Sequence, residues 1–278
     1  MINNLPICCR PAAFKLFRQQ IPVLESSDAL LMGAIALSMH QLDAIEPGRV
    51  DTQLQRYTEM VRQRVRGPQT QALLAHLHEV LFEQEQFAGN THDYFNPSNS
   101  YISHVLQSRR GLPITLSLIY KVIARRLGLR AYGIGLPGHF LAAVQTGSTL
   151  LLIDPFYGGR EVSVEEAQLR VQQVAGNQTE WSDEMLAPVT NRQWLTRLLQ
   201  NLLNTFAGSG QYADVAAMLE LEMLLWPGED RLQRDLALVL ARCGLSEPAR
   251  LWLDRYLRNN PDDPQTGDLR QLLEVLAA

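Results

Sequence analysis

The stretch formed by residues 114–127 is apolar nearly all round, and a helix without a polar stripe has to be buried on every side. Pro113 opens it at a position where a missing N–H costs nothing, and Gly128 offers a stop at its end. Whatever covers this helix must come from the rest of the chain. Short β-like runs follow at residues 131–134, 140–144 and 150–153, and Thr146-Gly147-Ser148 reads as a hairpin turn between the last two. A buried helix followed by an antiparallel sheet predicts an α+β core. Ser163-Val164-Glu165-Glu166 then fits a capping box that opens another helix.

The flanking regions read as helical. Before residue 105, apolar positions recur at helical spacing in Leu30, Ile35 and Leu37, in Leu54, Tyr57, Met60 and Val61, and in Leu73, Leu74, Leu77, Val80 and Leu81. Gly67-Pro68 interrupts the pattern. From about residue 190 the chain carries a repeat: Pro227 and Pro261 lie 34 residues apart, and the same offset matches Leu202 with Leu236, Phe206 with Leu240, Val215 with Ala249 and Leu219 with Leu253. That period, with small residues inside each unit and proline at its end, is the tetratricopeptide pattern. Trp194, Gln233 and Leu203 depart from it. Two such units leave an apolar face to cover, which predicts packing on the middle region. The expected division is 1–188 for the core with its helical preface and 189–278 for the repeats.

Composition removes several function classes. Of 278 residues, 46% are hydrophobic and 19% charged, which suits a globular chain, and the net charge of −4 argues against a nucleic-acid partner. The longest apolar run, residues 29–37, is too short to span a membrane, and Glu25 and Asp28 before it disagree with a signal peptide. Cys8, Cys9 and Cys243 form no disulfide framework and no metal-ligand spacing, so a cytoplasmic protein without metal or cofactor is expected. Residues 133–138 match the glycine pattern of dinucleotide-binding loops. That reading fails because a strand follows, where the fingerprint must open a helix.

His139 and Asp154 are the leading chemical residues. His139 follows Pro137-Gly138 and opens one strand; Asp154 ends the next. Counted from Gly147, His139 lies eight residues before and Asp154 seven after, so a nearly symmetric hairpin makes them cross-strand neighbours. A carboxylate beside an imidazole fixes its tautomer and stabilises its cation, as in nucleophilic triads. The same pair also serves as a structural clasp, and spacing alone leaves both readings open. Residues 89–100 form a loop dense in Asn and Ser. Its Asn90, Tyr94, Asn96 and Asn99, with Arg110 nearby, either wall a peptide-binding cleft or cap the loop's own backbone.

The strings Asn96-Pro97-Ser98-Asn99-Ser100-Tyr101, Arg109-Arg110-Gly111-Leu112-Pro113-Ile114-Thr115-Leu116-Ser117, Gly135-Leu136-Pro137-Gly138-His139-Phe140-Leu141 and Ile153-Asp154-Pro155-Phe156-Tyr157-Gly158-Gly159 resemble the bacterial transglutaminase-like and tetratricopeptide-repeat family. Its relatives include a protein described as an invasion-gene expression up-regulator. The similarity spans roughly residues 25 to 270. It implies a papain-like transglutaminase core, in which a buried helix presents a nucleophilic Cys and the two following strands present His and Asp. His139 and Asp154 match those positions. The thiol position falls near Pro113 and Ile114, and no cysteine lies between Cys9 and Cys243. Without a thiolate the imidazole has nothing obvious to activate. Ser117 and Thr115, in the first turns of the helix, are the substitute nucleophiles. The expectation is therefore a catalytically degenerate transglutaminase-like module that binds a protein or peptide, with a regulatory role. The alternative is a hydrolase or acyltransferase acting on amide or ester bonds through Ser117 or Thr115, with His139 as base and Asp154 as its orienter.

Overall fold

The computed structural model describes residues 5–175 and 181–277. Among the described residues, five α-helices precede the central one: α1 (Pro11–Gln20), α2 (Ser27–Gln41), α3 (Pro47–Arg62), α4 (Thr70–His78), which runs on into a wider turn at Glu79–Gln84, and α5 (Ile102–Ser108). Two short parallel strands, β1 (Ala88–Gly89) and β2 (Arg110–Gly111), lie on either side of α5 in sequence and lead the chain into α6 (Pro113–Arg126). Residues 113 to 121 of α6 are buried without exception, as its all-round apolarity predicts. The charges of Arg125 and Arg126 stand in its last turn, where they suit the negative end of the helix dipole.

The sheet is an antiparallel meander of β3 (Ala131–Leu136), β4 (His139–Thr146), β5 (Thr149–Asp154) and β6 (Arg160–Val162), in that order. Alternation divides its faces. Phe140, Ala142, Val144 and Ile153 join the main core, which also holds α6; Leu141, Ala143 and Leu152 pack with Ala167 and Val171 of α7 (Val164–Ala175). The start of α7 carries the expected box: the Ser163 hydroxyl accepts from Glu166 N at 3.2 Å and the Glu166 carboxylate accepts from Ser163 N at 3.0 Å.

The remaining helices are α8 (Asn191–Gly208), α9 (Tyr212–Leu225), α10 (Asp230–Arg242), α11 (Ser246–Asn259) and α12 (Thr266–Ala277). The 34-residue period is written into their boundaries: α9 and α11 are each 14 residues long and start at matching positions, and α8 and α10 end at matching positions. Gly210 and Gly244, at equivalent turns, share a left-handed φ of 72° and 73°. All eight residues paired by the repeat are buried.

These helices do not stand apart from the sheet. The main core runs unbroken from Cys9 to Ala249. Its joint is Trp194 of α8, fully buried with its ring 4.6 Å from that of Phe140. Gly133 makes the seat: a Cβ there would come within 2.1 Å of the indole. Lys121 of α6 lies over the same ring at 4.8 Å and donates to Asn191 Oδ1 at 3.1 Å, while Asn191 donates to the carbonyls of Leu24 and Ser26. Burial pulls the Lys121 amine down to about 8, with Arg125 adding to the shift. Gly133→Ala is expected to lower stability by about 1–3 kcal/mol, read as a reduced denaturant midpoint at unchanged slope.

Candidate functional site

His139 and Asp154 meet at the end of the sheet. His139 Nε2 lies 2.9 Å from Asp154 Oδ2, with the imidazole nearly buried and the carboxylate wholly so. Their register is diagonal, which corrects the expectation of direct cross-strand neighbours. The β4–β5 ladder pairs Thr146 with Thr149 and Ala142 with Ile153, so Asp154 continues it beside Leu141. The turn is a two-residue one, Gly147-Ser148, and this displaces the register from the symmetric count about Gly147. Contact survives because residues 139 and 141 share a face and diagonal side chains remain within reach.

Asp154 is fully engaged. Oδ2 also accepts from Arg170 Nη1 of α7 at 2.7 Å, and Oδ1 accepts from Phe156 N at 3.1 Å and Tyr157 N at 3.4 Å. Burial alone would raise this carboxyl. The hydrogen bonds and charges of His139 and Arg170 outweigh it and hold the carboxyl below its usual value. An aromatic wall surrounds the imidazole: the Phe156 and Tyr157 rings each lie 6.1 Å from it, Arg170 stacks 5.0 Å over Tyr157, and Tyr94 meets Phe156 at 5.9 Å. Tyr157 and Phe95 are exposed, Phe95 by 81%. Phe156 connects this end of the sheet to the start of α6, since a Cβ on Gly89 would lie 2.3 Å from its ring and Gly89 pairs with Gly111.

Thr115 and Ser117 of α6 are both fully buried, and neither hydroxyl has a hydrogen-bond partner among the described residues. They therefore neither reach His139 nor satisfy the backbone at the helix start. Cys8 and Cys9 lie elsewhere. The N–H groups of Ile7, Cys8 and Cys9 converge on the buried carboxylate of Glu220 on α9, with Cys9 N at 2.7 Å. Burial pushes the Cys8 thiol up to about 12 and raises Cys9 as well, with Glu220 adding to both shifts. Beside this cradle His40 accepts from Arg10 N at 3.3 Å and contacts Asp214 at 3.1 Å.

The Asn-rich loop is bonded largely to itself. Asn90 Nδ2 donates to Asn99 Oδ1 at 2.9 Å, Asn96 Oδ1 accepts from Ser98 N at 2.9 Å, and Asn99 Nδ2 donates to the carbonyls of Asp93 and Tyr94. Asn99 O in turn accepts from Leu112 N at 3.1 Å, which ties the loop to the first residue before α6. Arg110 donates to the carbonyls of Gln86 and Arg109, and Arg109 pairs with Glu85 at 2.7 Å. Two arginines had no signal in the sequence. Arg170 holds Asp154 from α7, and Arg197 of α8 donates to the carbonyls of Leu136 and His139. Neither belongs to a motif, and only the packing of the helices on the sheet brings them here.

A buried helix, a following antiparallel sheet and a His–Asp pair on successive strands define a transglutaminase-like domain. The chain belongs to the transglutaminase-like superfamily, whose family model matches residues 48–200. It is 32% identical over 237 residues to a UPF0162 protein of Xylella fastidiosa (strain 9a5c), covering 84% of each chain. A UPF0162 protein of Vibrio cholerae serotype O1 is 25% identical over 199 residues, which is 71% of this chain and 73% of that one. The F-box only protein 21 of Homo sapiens is 31% identical over 175 residues, 59% of this chain and 27% of that protein. No solved structure matches the chain. Among the described residues no helix is long and apolar enough to cross a membrane, and no cluster of His, Cys, Asp and Glu could hold a metal ion.

Two expectations test this site. Asp154→Ala leaves Arg170 and the buried imidazole uncompensated and is expected to cost about 3–5 kcal/mol in denaturant unfolding at neutral pH. Because the folded carboxyl sits below 3.8, its contribution is present above that value and is lost as the pH falls through the folded pKa. Asp154→Asn is therefore expected to flatten the acid limb of stability against pH below 3.8. Separately, Glu220→Ala is expected to raise the alkylation rate of Cys8 and Cys9 in the folded protein, measured by mass spectrometry at pH about 8.

Proposed function

We propose that this chain is a cytoplasmic, catalytically silent transglutaminase-like module that binds a protein or peptide segment. The observation that carries the reading is chemical. The thiol position that the resemblance implies falls near Pro113 and Ile114, neither of them a cysteine, while His139 and Asp154 stand together at the end of the sheet. An imidazole held by a carboxylate is a base, but acyl transfer also requires a nucleophile at hydrogen-bond reach of it. The buried, unpartnered hydroxyls of Thr115 and Ser117 weigh against the alternative hydrolase or acyltransferase, and so do the raised thiols at Glu220. In this reading the His139–Asp154–Arg170 group works as a clasp that holds the Pro155–Tyr157 turn. The two helical hairpins offset by 34 residues are read as tetratricopeptide-like units, an architecture suited to presenting a concave binding surface.

A fluorophosphonate probe and an acyl-thioester probe test the proposal with the full chain. The expected result is no adduct at Ser117 or Thr115 by peptide mapping, in wild type and in His139→Ala alike. An adduct at either hydroxyl that disappears in His139→Ala would establish an enzyme and overturn it.

A further inference from the structure

Beside the sheet, α8 walls a groove of about 460 Å³. Gly135 and Phe140 of the sheet line it, with Trp226, the residue that follows α9. At its base sits Arg197, whose guanidinium lies 5.4 Å over Phe140. Nη2 serves the carbonyls of Leu136 and His139, but among the described residues no carboxylate pairs with the side chain and its remaining N–H groups have no hydrogen-bond partner. Gly135 leaves the space beside Nη1 open, since a Cβ there would come within 2.9 Å of it. Burial draws the Arg197 pKa down, so the cation is partly stripped of water without a counter-charge to replace it.

The rest of the wall is made of amides. Gln193, Gln200 and Asn204 repeat at helical spacing along α8, with Asn201 beside them. Asn201 and Asn204 make no side-chain hydrogen bond with the described residues. Gln200 donates to Glu222 at 3.3 Å, and that carboxylate is buried behind it without lining the groove. Trp226, 39% exposed, has its indole N–H fixed on Thr196 Oγ1 at 2.8 Å and Arg192 stacked 5.2 Å over its ring, which hold the indole steady at the groove's edge.

We propose that this groove takes an extended peptide through a carboxylate, with Arg197 binding the carboxylate, the Asn201 and Asn204 amides meeting peptide backbone groups, and Trp226 flanking the chain. The proposal rests on the peptide-binding reading above and specifies the ligand class. A guanidinium presents paired donors that match a carboxylate, and amide side chains offer the donor and acceptor that a peptide unit requires. The carboxylate is either a peptide C-terminus or an acidic side chain, and the groove's chemistry is the same for both.

Three alanine-rich probes separate the outcomes: an N-acetyl hexapeptide with a free C-terminus, its C-terminal amide, and the amide carrying one internal glutamate. Each is titrated into the full ¹⁵N-labelled chain, with the Trp226 indole N–H and the Arg197 Nε–H resonances followed. Saturable shifts are expected with the free acid, with the internal-glutamate amide, or with both, and the responding probe identifies the source of the carboxylate. The neutral amide is expected to bind about tenfold more weakly. Arg197→Gln is expected to weaken the carboxylate-bearing probe about tenfold and Arg197→Lys to restore part of it. Because Arg197 also holds two carbonyls, the exposed Asn204→Asp supplies an independent check: it is expected to weaken the same probe about fivefold at unchanged melting temperature. Equal binding of all three probes, indifferent to Arg197→Gln and Asn204→Asp, would overturn the carboxylate inference and leave the peptide reading standing. Absence of saturable shifts with every probe would overturn both.

Discussion

The seating of one indole on one glycine organises this molecule. Trp194 fills the hollow left by Gly133 and presses on Phe140, and that contact fixes α8 against the sheet. Lys121 and Asn191 then join the same joint to α6 and to the segment before α2. With α8 fixed, Arg197 comes within reach of the carbonyls at the β3–β4 turn, next to His139. A core shared so widely makes the helical hairpins part of the transglutaminase-like body, because neither hairpin could cover its own apolar face.

At the sheet's end a dense set of hydrogen bonds fixes the geometry. Asp154 receives four hydrogen bonds, two from side chains and two from the following turn, so its charge is fully spent on geometry. His139 is orientated by it, and the pair occupies the sheet face shared with α7 rather than the face that packs on α6. A base so placed has an arginine and aromatic rings as its company.

Much of this was legible in the sequence for a simple reason: the strongest signals were apolar runs and helical periods. All-round apolarity marked α6, short apolar runs around a turn marked the strands, and the offset of 34 marked paired helices whose boundaries coincide. The His139–Asp154 contact was legible from hairpin arithmetic, while its diagonal register was not, because register depends on whether the turn takes two residues or three. Arg170, Arg197 and Glu220 were invisible for a different reason. Each acts across a helix–sheet or helix–arm contact far away in sequence, and a lone arginine or glutamate on a helix carries no local mark. The hydroxyls of Thr115 and Ser117 were legible as residues, but their isolation follows only from how closely α6 is enclosed.

The attachment of the N-terminal arm has a consequence for biosynthesis. Ile7, Cys8 and Cys9 give their backbone N–H groups to a carboxylate more than two hundred residues later. As the chain leaves the ribosome, these donors have no acceptor until α9 has emerged, and they stay with water while the central helix and sheet assemble. The arm is therefore among the last pieces to dock, and its arrival joins residues 7–9 to α9.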